Sequence, residues 1–71
     1  MTKGLTDRQR EILTMIGRGM PAAEIGNALD LSPRTVEVHK RDIKKKLAIQ
    51  STAGLIHYAI REGLVRLGEA R

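Results

Sequence analysis

The chain has no cysteine, tryptophan or phenylalanine, and its single aromatic residue is Tyr58. Without cysteine, a disulfide framework and the common thiolate zinc sites are excluded. The two histidines, His39 and His57, stand too far apart in the sequence to form a paired metal-ligand motif. The aromatic platforms on which single-stranded DNA and RNA stack are also missing. The sequence therefore predicts no metal and no organic cofactor, and among nucleic acids it favours a duplex.

Long apolar runs are absent as well. None approaches the roughly 20 residues of a membrane-spanning helix, and the first residues lack the apolar stretch of a signal peptide. We therefore expect a soluble, cytoplasmic protein. Strand-like alternation, internal repeats and low-complexity segments are also missing, which favours an all-α fold.

Size and charge narrow the function further. A chain of 71 residues forms one domain. A domain of this size buries only about 60% of the surface that its unfolded chain exposes, which leaves no room for a catalytic cleft and predicts that the protein is not an enzyme. The formal charge of +5 favours a polyanionic partner, which could be nucleic acid, acidic lipid or an acidic protein.

Helix-start and helix-stop signals divide the chain into four predicted helices. Thr6 and Gln9 have the spacing of a capping box, which predicts helix 1 over residues 7–18, before Gly19. Pro21 can start a short helix 2 over residues 22–29. Ser32 and Pro33 form an N-cap followed by a first-turn proline, which predicts helix 3 over residues 33–47.

Helix 4 begins after a break at residues 48–50. Ser51 or Thr52 serves as its N-cap, and Gly63 ends it. We expect an ordered part of about residues 5–65, followed by a frayed tail.

Residues 22–41 have the pattern of a helix-turn-helix, in which one helix crosses another closely. Ile25 is the apolar anchor and Gly26 the small residue at the contact. Leu29 and Leu31 flank the turn, and Val36 closes the core. Asp30 lies in the turn, where aspartate tolerates left-handed backbone geometry better than most residues.

A helical projection of helix 3 at about 100° per residue separates two faces. The inward face carries Val36, His39, Ile43 and Leu47. The outward face carries Arg34, Val38, Arg41 and Lys45, and the flanks carry Lys40, Lys44 and Lys46. Residues 34–46 contain six basic residues against two acidic ones. In a major groove, the outward face would meet base edges and the flanks would meet phosphates.

Two features, Glu37 and the apolar arc of helix 4, each have two interpretations. Glu37 can accept a hydrogen bond from a cytosine amino group, or it can pair with Arg41 four residues on, which we favour. His39 is expected to be a hydrogen-bonded core residue and His57 to be exposed.

Helix 4 has an apolar arc that includes Leu55 and Ala59 and is wider than packing in a small bundle requires. The excess predicts either a dimer face or a fully buried helix. The predicted dimer residues are Ala53, Ile56, Tyr58 and Ile60.

A set of landmarks covering residues 5–65 resembles one known family in order and spacing. The landmarks are Leu5-Thr6-Asp7-Arg8-Gln9-Arg10-Glu11-Ile12-Leu13, Gly19, Glu24-Ile25, Leu31-Ser32, Thr35-Val36-Glu37-Val38-His39, Ile43, Lys46-Leu47 and Gly63-Leu64-Val65. Together they resemble the LuxR/FixJ or GerE-type helix-turn-helix domains of bacterial transcription regulators.

The resemblance implies a four-helix bundle whose third helix reads DNA, in the output domain of a response regulator or a ligand-sensing regulator. It also implies dimerisation through helix 4, and it places Thr35, Glu37, Val38 and Arg41 in the groove with Lys46 on a phosphate. The full predicted DNA-contacting set is Ser32, Arg34, Thr35, Glu37, Val38, Lys40, Arg41, Lys44, Lys45 and Lys46.

Four positions depart from the family pattern. Pro21 replaces a Ser or Thr cap, Gly26 replaces alanine, Asp42 replaces asparagine, and Thr52 replaces arginine. The last two argue against some of the DNA-backbone contacts that the resemblance implies.

The sequence thus supports two hypotheses. The first is sequence-specific binding of double-stranded DNA in bacterial transcription regulation. The alternative is a helical protein-interaction module that docks on RNA polymerase or an acidic partner through the same basic face.

Overall fold

The computed structural model describes residues 4–66 and residue 68. In this part of the chain it has four α-helices and no strand, which confirms the predicted all-α class. The helices are α1 (Asp7–Gly17), α2 (Ala22–Leu29), α3 (Pro33–Leu47) and α4 (Thr52–Arg61). The expected fraying of residues 66–71 falls largely outside the described residues.

The predicted caps form. Thr6 Oγ1 accepts a hydrogen bond from the Gln9 backbone N–H at 3.0 Å, and Gln9 Oε1 accepts one from the Thr6 N–H at 3.2 Å, which completes the capping box. Ser51 Oγ accepts from the Gly54 N–H at 3.0 Å, which identifies Ser51 as the cap of α4. Pro21 is the N-cap of α2, and it makes no side-chain cap hydrogen bond.

Two helix ends differ slightly from the prediction. Helix α1 ends at Gly17 rather than Arg18, which is its C-cap, and α4 ends at Arg61, two residues before Gly63. Gly19 and Gly63 both have positive φ, 83° and 78°, in the turns that follow these helices. The glycines therefore mark the turns, and the last hydrogen-bonded helical residue lies slightly earlier.

All four helices contribute to a single apolar core. Its buried residues are Ile12, Leu13, Ile16, Ile25, Val36, Ile43, Leu55, Ala59 and Val65. The predicted anchors of the helix-turn-helix, Ile25 and Val36, are among them, and Leu29 and Leu31 pack against the core while half-buried. The predicted packing of this motif is therefore confirmed.

One residue predicted to be in the core does not reach it. His39 is only half-buried and is not a core residue. In α2, Ala28 is exposed. Helix α2 has eight residues, so its buried side is limited to Ile25 and Gly26, with Leu29 at its edge. A helical projection predicts the direction in which a side chain points but not how deeply it is buried. His39 lies near the boundary of the buried side of α3.

Helices α2 and α3 form the helix-turn-helix, and α1 packs against each of the other three helices. Gly26 allows the tight turn, because a Cβ added there would collide with the Leu31 carbonyl oxygen. The Leu31 N–H donates to the Gly26 carbonyl at 2.8 Å. Asp30 adopts the left-handed conformation predicted for it, with φ 59° and ψ 45°. These contacts hold the turn between α2 and α3, and with it the angle between the two helices.

Among the described residues, no helix has both the length and the apolar character that a bilayer crossing requires.

Candidate nucleic-acid interface

The outward side of α3 is a basic surface with one apolar residue in it. Arg34, Arg41 and Lys45 are exposed, and Val38 lies among them with 40% of its surface accessible. On the opposite side of the same helix, Val36 and Ile43 are completely buried. The division into an inward and an outward face is thus as predicted. Val38 is also the one large hydrophobic residue exposed in the described part of the chain.

The N-terminal end of this surface is held by Ser32 and Thr35. Ser32 Oγ accepts a hydrogen bond from the Thr35 N–H at 3.1 Å and lies 2.9 Å from Thr35 Oγ1. Both residues are exposed. Their first role is to start α3 at Pro33, and a contact of either with DNA stays a prediction.

One flank of α3 carries Lys40 and Lys44, whose side chains are half-buried. Their apolar stems can lie along the protein while their ammonium groups reach solvent. Near the C-terminal end of α3, Arg41, Lys44 and Lys45 line an open concave surface together with residues 48–50. Three cationic side chains thus surround one shallow groove, an arrangement that attracts anions.

The other flank carries Lys46, and here the structure shows contacts that sequence reasoning missed. Lys46 Nζ donates to the Gly4 carbonyl oxygen at 3.0 Å and to Gln9 Oε1 at 2.8 Å. The capping box predicted the position of Gln9, but nothing in a single sequence links it to a lysine that lies 37 residues further on. The contact connects the last turn of α3 to the start of α1.

The two acidic residues of α3 stand in different surroundings. Glu37 is exposed, and in the described part of the chain no ion pair joins it to Arg41, so the pairing that we favoured is wrong. An exposed pair of this kind has a net worth of only about 0.2–0.5 kcal/mol, so the helix loses little stability without it. Asp42 is half-buried on the flank that also carries Lys46.

The apolar arc of α4 divides into three parts. Leu55 and Ala59 are buried, whereas Ile56, Tyr58 and Ile60 are half-buried against the core. Ala53 is exposed, and so is His57, as predicted. The guanidinium of Arg61 lies 5.6 Å from the centre of the Tyr58 ring. The helix is therefore not fully buried, and a dimer face on it stays a prediction.

The family model described as "Bacterial regulatory proteins, luxR family" matches residues 3–59 of the chain. Over 61 residues the chain is 46% identical to the transcriptional regulatory protein MctR of Rhizobium johnstonii, a match covering 86% of the chain and 28% of that protein. It is 47% identical over 60 residues to the uncharacterized response regulatory protein YgeK of Escherichia coli K12, covering 84% of the chain and 41% of YgeK. The transcriptional regulatory protein FixJ of Rhizobium meliloti is 37% identical over 59 residues, covering 83% of the chain and 29% of FixJ.

These matches cover most of the chain but less than half of each of these three relatives. No solved structure matches the chain significantly. The matched family consists of DNA-binding transcription regulators, which are not a class of enzymes. The chain therefore belongs to the luxR family of bacterial regulatory proteins, and the predicted function class, DNA binding in transcription regulation, is confirmed.

Proposed function

We propose that the chain binds double-stranded DNA sequence-specifically, with α3 lying in the major groove. The observation that carries this proposal is the exposed basic side of α3, whose opposite side is anchored in the core by Val36 and Ile43. A helix held in this way can enter a groove about 12 Å wide without rearrangement of the bundle.

The outward side chains would read the bases. Arg34, Arg41 and Lys45 can donate hydrogen bonds to guanine O6 and N7, and Val38 can contact a thymine methyl group. Thr35 and Glu37 lie beside the outward side of α3 and are exposed. Because Glu37 does not pair with Arg41, its carboxylate is available to accept a hydrogen bond from a cytosine amino group.

The flanks would hold the DNA backbone. Lys40 and Lys44 on one side, and Lys46 on the other, would approach phosphates of the two strands, with Ser32 at the start of the helix. Such contacts set the register of the helix and carry no sequence information.

The names of the relatives support a place for this domain in a longer regulator. YgeK is named a response regulatory protein, and the chain matches 41% of its length. We propose that the chain is the DNA-binding output part of such a regulator. It would dimerise on two half-sites through Ala53, Ile56, Tyr58 and Ile60 of α4. Sedimentation with and without the selected duplex would test the dimer, since a single copy on a symmetric site would contradict it.

Selection of bound sequences from a random duplex pool tests the function directly. We expect an enriched motif, and its symmetry would report how many copies bind. An empty selection would contradict sequence-specific binding and favour a protein-interaction module.

A salt titration then tests the phosphate contacts. The logarithm of affinity should fall linearly with the logarithm of salt concentration, and Lys44→Ala should reduce the slope by about 0.9. Arg18→Ala removes the same charge from the exposed C-cap of α1, which belongs to neither the proposed DNA interface nor the proposed dimer face, and should leave the slope unchanged. Equal slopes for wild type and Lys44→Ala would refute this assignment.

A further inference from the structure

The side chain of Gln9 joins two parts of the molecule. It is only 5% exposed, and its Oε1 accepts hydrogen bonds from the Thr6 N–H at 3.2 Å and from Lys46 Nζ at 2.8 Å. Lys46 Nζ also donates to the Gly4 carbonyl oxygen at 3.0 Å. One ammonium group is thus held by two oxygen atoms at the start of α1.

Both of these acceptors are uncharged. An ammonium group has three N–H donors, and within the described residues two of them are used here, which leaves one for a further acceptor. Because an amide and a peptide carbonyl carry no net charge, the positive charge of Lys46 is not cancelled by either of them. A carboxylate in the position of Gln9 could accept the same hydrogen bonds and would neutralise the lysine.

We infer that Gln9 is a positioning residue for DNA binding, which holds the Lys46 ammonium at the edge of the interface for a phosphate and leaves its charge intact. This inference rests on the proposed function. A free surface lysine loses side-chain freedom when it binds a phosphate, whereas Lys46 has already lost most of that freedom on folding. The contact is therefore preorganised.

The variant Gln9→Glu separates positioning from charge. Glutamate retains the capping box, so the domain should fold, and circular dichroism and the thermal midpoint would verify this. With Lys46 neutralised, the salt dependence of binding to any duplex should become shallower by about 0.9. If the affinities converge at 1 M salt, binding at 0.1 M should weaken by about eightfold.

The matched test is the same substitution in a Lys46→Met background. Methionine keeps an apolar stem without the charge. Lys46→Met alone should lower the slope as much as Gln9→Glu does, and adding Gln9→Glu to it should change the slope little further. This cycle isolates the effect that passes through Lys46.

Two results would overturn the inference. A wild-type slope in folded Gln9→Glu or in Lys46→Met would mean that the hydrogen bonds of Lys46 serve only the fold. An equal further loss when Gln9→Glu is added to Lys46→Met would mean that the new charge acts over a distance. If either result is found while the wild type still binds duplex DNA with a steep salt dependence, only the inference about Gln9 fails. If the wild type does not bind duplex DNA at all, the proposed function itself is refuted.

Discussion

Replacing Ala48 by glycine should stabilise the domain. Ala48 ends α3 in the left-handed conformation, with φ 56° and ψ 40°, and its N–H donates to the carbonyl oxygens of Lys44 and Lys45. An L-residue in this conformation costs about 1–2 kcal/mol, which glycine avoids. Glycine in turn loses about 0.5–1 kcal/mol more backbone entropy on folding. Ala48 is exposed, so loss of its methyl group removes little packing.

The net gain in the free energy of unfolding should be about 0.5–1 kcal/mol, which raises the thermal midpoint of a domain this size by about 2–8 °C. Thermal unfolding followed by far-UV circular dichroism measures it. The matched control is Ala28→Gly, because Ala28 is also exposed but lies within α2. There glycine should lower stability by about 0.5–1 kcal/mol. An Ala48→Gly midpoint at or below that of the wild type would refute the reasoning.

Three further predictions concern the interface and the core. Arg41→Ala should cost about 1–3 kcal/mol on the selected duplex and less on random DNA, and equal losses in a binding titration would rule out base reading. Asp42→Asn removes a negative charge from the flank of α3 and should tighten binding to every duplex at low salt; unchanged affinity would show that this carboxylate lies away from the phosphates. A Cβ added at Gly17 would lie 2.7 Å from the Ala59 Cβ, so Gly17→Ala should lower the free energy of unfolding by about 1–3 kcal/mol. Denaturant titration measures this change, and an unchanged denaturation midpoint would contradict the prediction.

The elements of this fold are predictable because their ends are encoded locally. Ser32 and Pro33 specify the start of α3 through a cap and a fixed φ, and Thr6 and Gln9 specify the start of α1. The structure places each of these starts at the predicted residue. The spacing of the apolar residues then determines which side of each helix is buried.

The remaining details depend on three-dimensional placement. The bond between Lys46 and Gln9 spans 37 residues, and a helical projection of α3 alone assigns Lys46 only to a flank. The left-handed conformation of Ala48 has no signal in its residue type, since glycine is usual there. The depth of His39 depends on how closely neighbouring helices approach, which periodicity does not specify.

Helix α3 is closed at both ends by its own neighbours, through the Ser32 side chain and the backbone N–H of Ala48. Its fifteen residues are therefore helical before any partner arrives. Binding through this helix requires no folding step in it, so the heat-capacity change on association should reflect the apolar area covered at the interface and any deformation of the DNA. Calorimetry of the complex would thus report on the contact and on the DNA, without a contribution from the ordering of this helix.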